Sequence, residues 1–290
     1  WLETGDGWFI NVKDHVDDIR SAVNNIEWKP DFYRERLLKW LDGVDQDWSI
    51  SRERTFGLRI KDDPQFTYDT WFVSSLSPQL AYSAYREETI FNAPIFDVRF
   101  QAHDIIRTWA LFTIIKSLYH FEQIPWKTIV VSGHAVDRHG KKISKTAGNY
   151  VHPNEYVKKY GADAVRVWAA HSQPGKDTKI DEEMMSKTKR TFNKLRNAKK
   201  FLDMQPNEGE SGDIAAHWLE VEGRLMDHFD AFNWADGWAC LNEFFWDSFC
   251  GNYIEAAKKN KATITLRKVF DIQLGYFGIF MPNIAKELRA

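Results

Sequence analysis

The stretch Lys142-Ile143-Ser144-Lys145-Thr146 holds two lysines around a serine, just after Val130-Val131-Ser132-Gly133-His134 and a turn-forming Asp137-Arg138-His139-Gly140. Gly148-Asn149 follows at once. Two ammonium groups on one loop suit the neutralisation of charge that builds on a nucleotide's phosphates while a nucleophile attacks the α-phosphorus. A solvated basic turn is the alternative for an isolated K-x-S-K. The apolar strand, Gly-His, turn, lysine loop and Gly-Asn occurring in this order favour the chemical reading.

The elements that must carry this loop are α/β in character. Phe96-Asp97-Val98-Arg99-Phe100 alternates and predicts a strand, and Ile105, Ile106, Trp109, Phe112, Ile115 and Leu118 recur at helical spacing over Asp104 to Tyr119. Thr128-Ile129-Val130-Val131 predicts a second strand. Strand, helix and strand within about 35 residues form a βαβ unit and imply a parallel sheet. Ligands on such sheets sit beyond the carboxyl ends of the strands, where Gln101 to Asp104 and Gly133 to Lys145 fall. After Asp181 the pattern predicts helices over Glu182 to Leu202, Ala215 to Phe232, Ala235 to Lys259, and Thr263 to Ala290 with an interruption at Pro282. The expected fold is therefore a partial Rossmann-like parallel sheet followed by an α-helical bundle, with domains over 1–177 and 178–290.

Composition bounds the partners. The 290 residues are 43% hydrophobic and 28% charged, with a net charge of −2, so any nucleic-acid surface must be a local patch. The helix from Glu182 supplies one, with Lys187, Lys189, Arg190, Lys194, Arg196, Lys199 and Lys200 beside an apolar stripe of Phe192, Leu195 and Leu202. A solvated surface helix is the competing reading. Cys240 and Cys250 form no CxxC pair, which fits a reducing compartment and no structural zinc. No segment approaches the roughly 20 apolar residues of a membrane span, so a cytoplasmic protein is expected.

Further segments carry a resemblance to valyl-tRNA synthetases of class Ia. The lysine loop resembles K-M-S-K-S. Asp47-Trp48-Ser49-Ile50-Ser51-Arg52-Glu53-Arg54-Thr55-Phe56-Gly57 resembles D-W-C-I-S-R-Q-R-x-x-G, and Asp69-Thr70-Trp71-Phe72-Val73-Ser74-Ser75-Leu76-Ser77-Pro78 resembles D-T-W-F-x-S-S-L-x-P. Arg99-Phe100-Gln101-Ala102-His103-Asp104-Ile105-Ile106-Arg107-Thr108-Trp109 is similar to R-P-Q-A-H-D/E-I-I-R-T-W, an archaeal-type spelling. Phe249-Cys250-Gly251-Asn252-Tyr253-Ile254-Glu255 is similar to F-C-x-x-Y-I-E of the anticodon-binding domain.

The resemblance implies roles. Lys142, Ser144 and Lys145 would stabilise the transition state. Asp104, Gly133, His134 and Ile143 would bind ATP, Asp104 through its ribose hydroxyls, although Asp104 also reads as a helix N-cap. Trp71, Ile105 and Trp109 would line the amino-acid pocket, although Ile105 and Trp109 read equally as core positions four apart. Arg190, Lys194 and Arg196 would contact tRNA phosphates. ATP, with Mg2+, and tRNA are the implied ligands.

None of the nine histidines lies in an H-I-G-H motif, the second signature of such enzymes. Gly7-Trp8-Phe9-Ile10 resembles the segment after the family's editing domain, so that domain and the first catalytic half are not expected within this chain, and Trp1 reads as the start of a processed chain or fragment. Between Arg59 and Tyr68 the family's longer insertion is reduced to eight residues. Phe280-Met281-Pro282-Asn283-Ile284 resembles F-M-P-x-I, after which a full enzyme continues. The expectation is a synthetase component completed by a partner chain, or a catalytically silent paralogue binding tRNA, nucleotide or protein.

Overall fold

A computed structural model describes residues 6–54, 56–86, 96–210 and 212–290. Trp1 and Thr55 lie outside the described residues. The chain forms two compact units, Trp1–Gly133 and His134–Ala290.

The first unit contains β1 (Phe9–Ile10), α1 (Val16–Asn24), β2 (Glu27–Lys29), α2 (Phe32–Leu41), β3 (Trp48–Ser49), β4 (Ser51–Arg52), β5 (Arg59–Ile60) and β6 (Asp63–Tyr68). Then come α3 (Thr70–Ser74), α4 (Ser77–Arg86), β7 (Phe96–Ala102), α5 (Leu111–Phe121) and β8 (Trp126–Ser132). The parallel sheet runs β2-β8-β7. Its centre is the β-branched run of β8, where Ile129 and Val131 are fully buried, as a strand covered on both faces requires. Phe100 pairs with Val130 and Ala102 with Ser132, which sets the carboxyl ends of β7 and β8 side by side. The edge strand β7 leaves Phe100 61% exposed. In a second, antiparallel sheet, β6 is paired on both sides by β4 and β5, and Ile60 faces Asp63 in a tight hairpin where the family's insertion would be.

The helix predicted over 104–119 is not uniform. His103–Ile105 is a 3-10 turn and Ile106–Ala110 a π turn before α5 proper. Ala102 occupies the N-cap position, so Asp104 lies within the turn and does not cap it. On α5, Leu111, Ile114 and Ile115 are buried, and Trp48 stacks on Phe112 at 3.7 Å.

The second unit opens with β9 (Ala135–Val136), followed by α6 (Pro153–Tyr160), α7 (Ala162–Ala170) and β10 (Thr178–Lys179). The bundle is α8 (Glu182–Met204), α9 (Ile214–Asp230), α10 (Trp234–Glu243), α11 (Ile254–Asn260), α12 (Ile264–Phe280) and α13 (Pro282–Arg289). A π segment, Phe244–Tyr253, joins α10 to α11. The core is aromatic, with Trp218, Phe245, Phe249, Phe270 and Phe277 fully buried. Asp181 caps α8 by accepting from the Met184 amide at 2.8 Å.

At the break before Pro282, α7 serves both helix ends. The Arg166 guanidinium donates to the Ile279 and Phe280 carbonyls, and the buried Asp163 carboxylate accepts from the Asn283 and Ile284 amides. Groups orphaned where one helix stops and another starts are thereby paired.

Candidate functional site

The lysine loop is built on a hairpin. Strand β9 pairs in parallel with β10, and Val136 bridges Lys142 in antiparallel fashion. The reversal is made by Asp137 to Gly140, where the Gly140 amide donates to the Asp137 carbonyl. Gly140 has φ 78° and Gly148 φ 69°, a region that disfavours side chains with a Cβ. His134 is fixed on both sides of its peptide, its amide donating to Asp177 Oδ1 at 2.8 Å and its carbonyl accepting from the Thr178 amide.

Within the loop, Asp137 Oδ1 accepts from the amides of His139 and Lys141, each at 2.9 Å. Its Oδ2 accepts from Asn149 Nδ2 at 3.0 Å. Asn149 also donates to the Lys142 carbonyl and accepts from the Ser144 amide. The Asn149 amide, with the two backbone N–H donors, holds the Asp137 carboxyl below its ordinary pKa. Ser144 Oγ accepts from the Ala147 amide and so keeps its proton for another partner. Lys142 and Lys145 are solvent-exposed, and the Lys145 ammonium sits 5.7 Å from the Tyr150 ring.

In the first unit, Asp104 is exposed and lines a cleft of about 340 Å3 with Arg36, Trp40, His103, Ile106 and Arg107. The Arg107 guanidinium lies 5.6 Å over the Trp40 ring. His103 is held by Ser132 at the end of β8, its Nδ1 lying 3.2 Å from that carbonyl oxygen. Trp71, Ile105 and Trp109 do not line this cleft. Ile105 and Trp109 are half-buried, whereas Ile106 and Ala110 beside them are core.

The tryptophans are positioned by groups that sequence reasoning left unassigned. Asp69 is buried, caps α3 by accepting from the Trp71 amide at 2.9 Å, and lies 3.2 Å from Arg52 Nε. The Trp109 indole reaches the Ser74 carbonyl at 3.5 Å. The Arg99 guanidinium lies over Trp109, 3.7 Å from its ring centroid, with the Trp126 centroid at 5.0 Å. Burial among these rings lowers the Arg99 pKa to about 10. The aspartate of D-T-W-F is a residue type that favours helix N-caps, which is the signal that could have found it. Nothing in the sequence singled out Arg99 from other strand arginines.

The basic helix separates its cations. Arg190 is exposed and Lys194, four residues on, shares its face, with the ammonium 5.2 Å from the Trp246 ring. Arg196 lies about 120° round the helix from Arg190 at 3.6 residues per turn. It is engaged by Glu287 in two hydrogen bonds of 2.6 and 2.8 Å. Lys199 pairs with Asp203 and Lys187 with Glu183. Burial raises both thiols, that of Cys250 to about 12, which makes them poor nucleophiles near neutral pH.

Known proteins resolve the ancestry. The family described as tRNA synthetases class I (I, L, M and V) matches residues 2–66 and 61–181, and the anticodon-binding domain of tRNA ligase matches 217–289. Valine–tRNA ligase of Wolbachia pipientis wMel is 33% identical over 97% of this chain and 40% of its own length. The same-named protein of Rickettsia prowazekii (strain Madrid E) is 31% identical over 97% of this chain and 44% of its own. The chain thus spans less than half the length of these curated relatives. Among solved structures, Mycobacterium tuberculosis methionyl-tRNA synthetase bound by methionyl-adenylate superposes with a TM-score of 0.79 at 20% identity, over 98% of this chain and 62% of that one. At that identity the likeness shows the fold. With well over half its residues matched by one family, and with curated relatives of the valyl type, this chain belongs to the class I tRNA synthetases.

Proposed function

We propose that this chain supplies the nucleotide-handling and tRNA-contacting residues of a valine–tRNA ligase, and that these residues are completed by a polypeptide carrying an H-I-G-H motif. In the reaction, the valine carboxylate attacks the α-phosphorus of ATP, a P–O bond forms to the carboxylate, and pyrophosphate leaves with the bridging electron pair. Lys142 and Lys145 neutralise the charge carried off by pyrophosphate, and the Ser144 hydroxyl donates to a phosphate oxygen. Asp104 accepts from the ribose hydroxyls, and Gly133, His134 and Ile143 lie along the nucleotide. Trp71, Ile105 and Trp109 form rigid apolar walls for a small branched side chain, a slot that discriminates by about 1 to 3 kcal/mol per methylene. Mg2+ would accompany ATP and help neutralise its phosphate charge. Residues 1–177 do the catalytic work and 178–290 engage tRNA through Arg190, Lys194 and Arg196.

The observation that carries this reading is the lysine hairpin, whose backbone is fixed by Asn149 while Lys142 and Lys145 are exposed residues. Valine-dependent exchange between ATP and pyrophosphate tests it. The purified chain alone is expected to be inactive, and addition of a polypeptide carrying the H-I-G-H half is expected to restore exchange that Lys142→Ala abolishes. Failure of every such addition, with tRNA binding retained, would support a silent paralogue instead. Robust exchange by the chain alone would refute the need for an H-I-G-H half.

A further inference from the structure

One side chain, Asn149, bonds the lysine loop's backbone both before and after Ile143. Asn149 Nδ2 lies 3.3 Å from the Lys142 carbonyl, and Asn149 Oδ1 lies 3.0 Å from the Ser144 amide. The same Nδ2 is 3.0 Å from Asp137 Oδ2, while Asp137 Oδ1 takes the amides of His139 and Lys141. Backbone on either side of Ile143 is therefore tied to one carboxamide, and that carboxamide is tied to the turn.

We infer that Asp137 and Asn149 form a latch that sets the resting conformation of the lysine loop and so aims Lys142 and Lys145. They are positioning residues, acting through backbone and touching no substrate. The inference rests on the phosphate-binding reading of the two lysines. The chemistry is specific to this pair. A carboxamide alone can accept from the Ser144 amide and donate to two acceptors at once, and an ionised carboxylate alone can take two amides and the Asn149 donor together. An aspartate at 149 keeps the bond from Ser144 but sets two carboxylates face to face.

Trypsin tests the latch without any need for catalysis, because Lys142 and Lys145 are themselves cleavage sites. The full chain is compared as wild type, Asn149→Ala, Asn149→Asp and the exchange variant Asp137→Asn/Asn149→Asp, with cleavage after Lys258 on α11 as the internal reference. Asn149→Ala and Asn149→Asp are expected to speed cleavage after Lys142 and Lys145 roughly tenfold, the population change for losing a few hydrogen bonds, with cleavage at Lys258 and the melting temperature unchanged. The exchange variant is expected to recover part of the protection lost in Asn149→Asp, because donor and acceptor change places between residues 137 and 149 while the Lys142 carbonyl still lacks its donor. Calorimetry adds a readout that loop stability alone does not move: Asn149→Ala is expected to weaken ATP roughly tenfold and adenosine less than twofold.

Cleavage of Asn149→Ala at the wild-type rate would overturn the latch, as would acceleration at all sites alike. Loop-specific acceleration with no ATP binding to any variant would leave the latch standing and overturn the phosphate reading on which its purpose rests.

Discussion

The two units differ in whether they bury positive charge, although both pair surface cations with carboxylates. In the first, Arg99 and Lys116 lie among aromatic rings with no carboxylate partner among the described residues, Arg99 between Trp109 and Trp126 and Lys116 3.4 Å from the Phe72 centroid. In the second, cations stand at or near the surface and several meet a carboxylate: Arg196 with Glu287, Lys199 with Asp203, Lys159 with Glu182. The first arrangement costs stability and fixes geometry around the proposed amino-acid walls. The second costs little and leaves charge exchangeable, as contact with phosphates requires.

Breaking the second unit's aromatic core should give the largest effect. Phe249 is fully buried and stacks on Phe245 and Phe270. Phe249→Ala is expected to cost about 3 to 5 kcal/mol, with loss of hydrogen-exchange protection in α8 to α13 and retention in the β2-β8-β7 sheet. Equal loss in both units would show that they unfold as one and would blunt the contrast.

Lys116 gives the next effect, with the opposite sign. Its pKa is lowered to about 8 by burial, below the 10.5 of an exposed lysine. Between those values the unfolded chain binds more protons, so stability rises with pH through that window and is lowest below pH 8. Lys116→Met is expected to stabilise the first unit by about 2 kcal/mol at pH 7, with the gain shrinking toward pH 10. Denaturant titrations at pH 7 and 9.5 check this, and destabilisation at pH 7 would show that the ammonium–ring contact outweighs desolvation.

Smaller effects are expected on the basic helix. Arg190→Ala with Lys194→Ala should weaken every tRNA alike and flatten the salt dependence of binding. Arg196→Ala should do less, because its fork is already filled by Glu287, and the exposed pair itself is worth under about 1 kcal/mol. Gel shifts at two salt concentrations separate the variants, and a larger effect from Arg196 would reverse the assignment of the contacting face.

How far these features could be read from sequence depended on range. The long periodic stripe of α8 and the break at Pro282 appeared in place, because periodicity and a missing amide are local signals. The strand Glu27–Lys29 escaped, since three residues whose parallel partner lies about 100 positions away carry no pattern of their own. The π turn at Ile106–Ala110 also escaped, because a single wide turn carries no residue pattern of its own in a short apolar segment. The lysine loop declared its chemistry through residue type, yet its latch is a matter of which side chain meets which backbone. Arg196 counted as a free charge until Glu287, 91 residues further on, was seen beside it.

In the proposed function the lysine hairpin handles phosphates while Asp104 handles ribose. Calorimetry of ATP and adenosine with wild type, Lys142→Ala/Lys145→Ala and Asp104→Ala tests it most directly. Weak binding of both ligands to wild type is expected, with ATP weakened roughly tenfold or more by loss of the lysines, adenosine within twofold of wild type, and both ligands weakened by loss of Asp104. Lysine variants that bind ATP as wild type does, or a wild-type chain that binds neither ligand at millimolar concentration, would contradict the account.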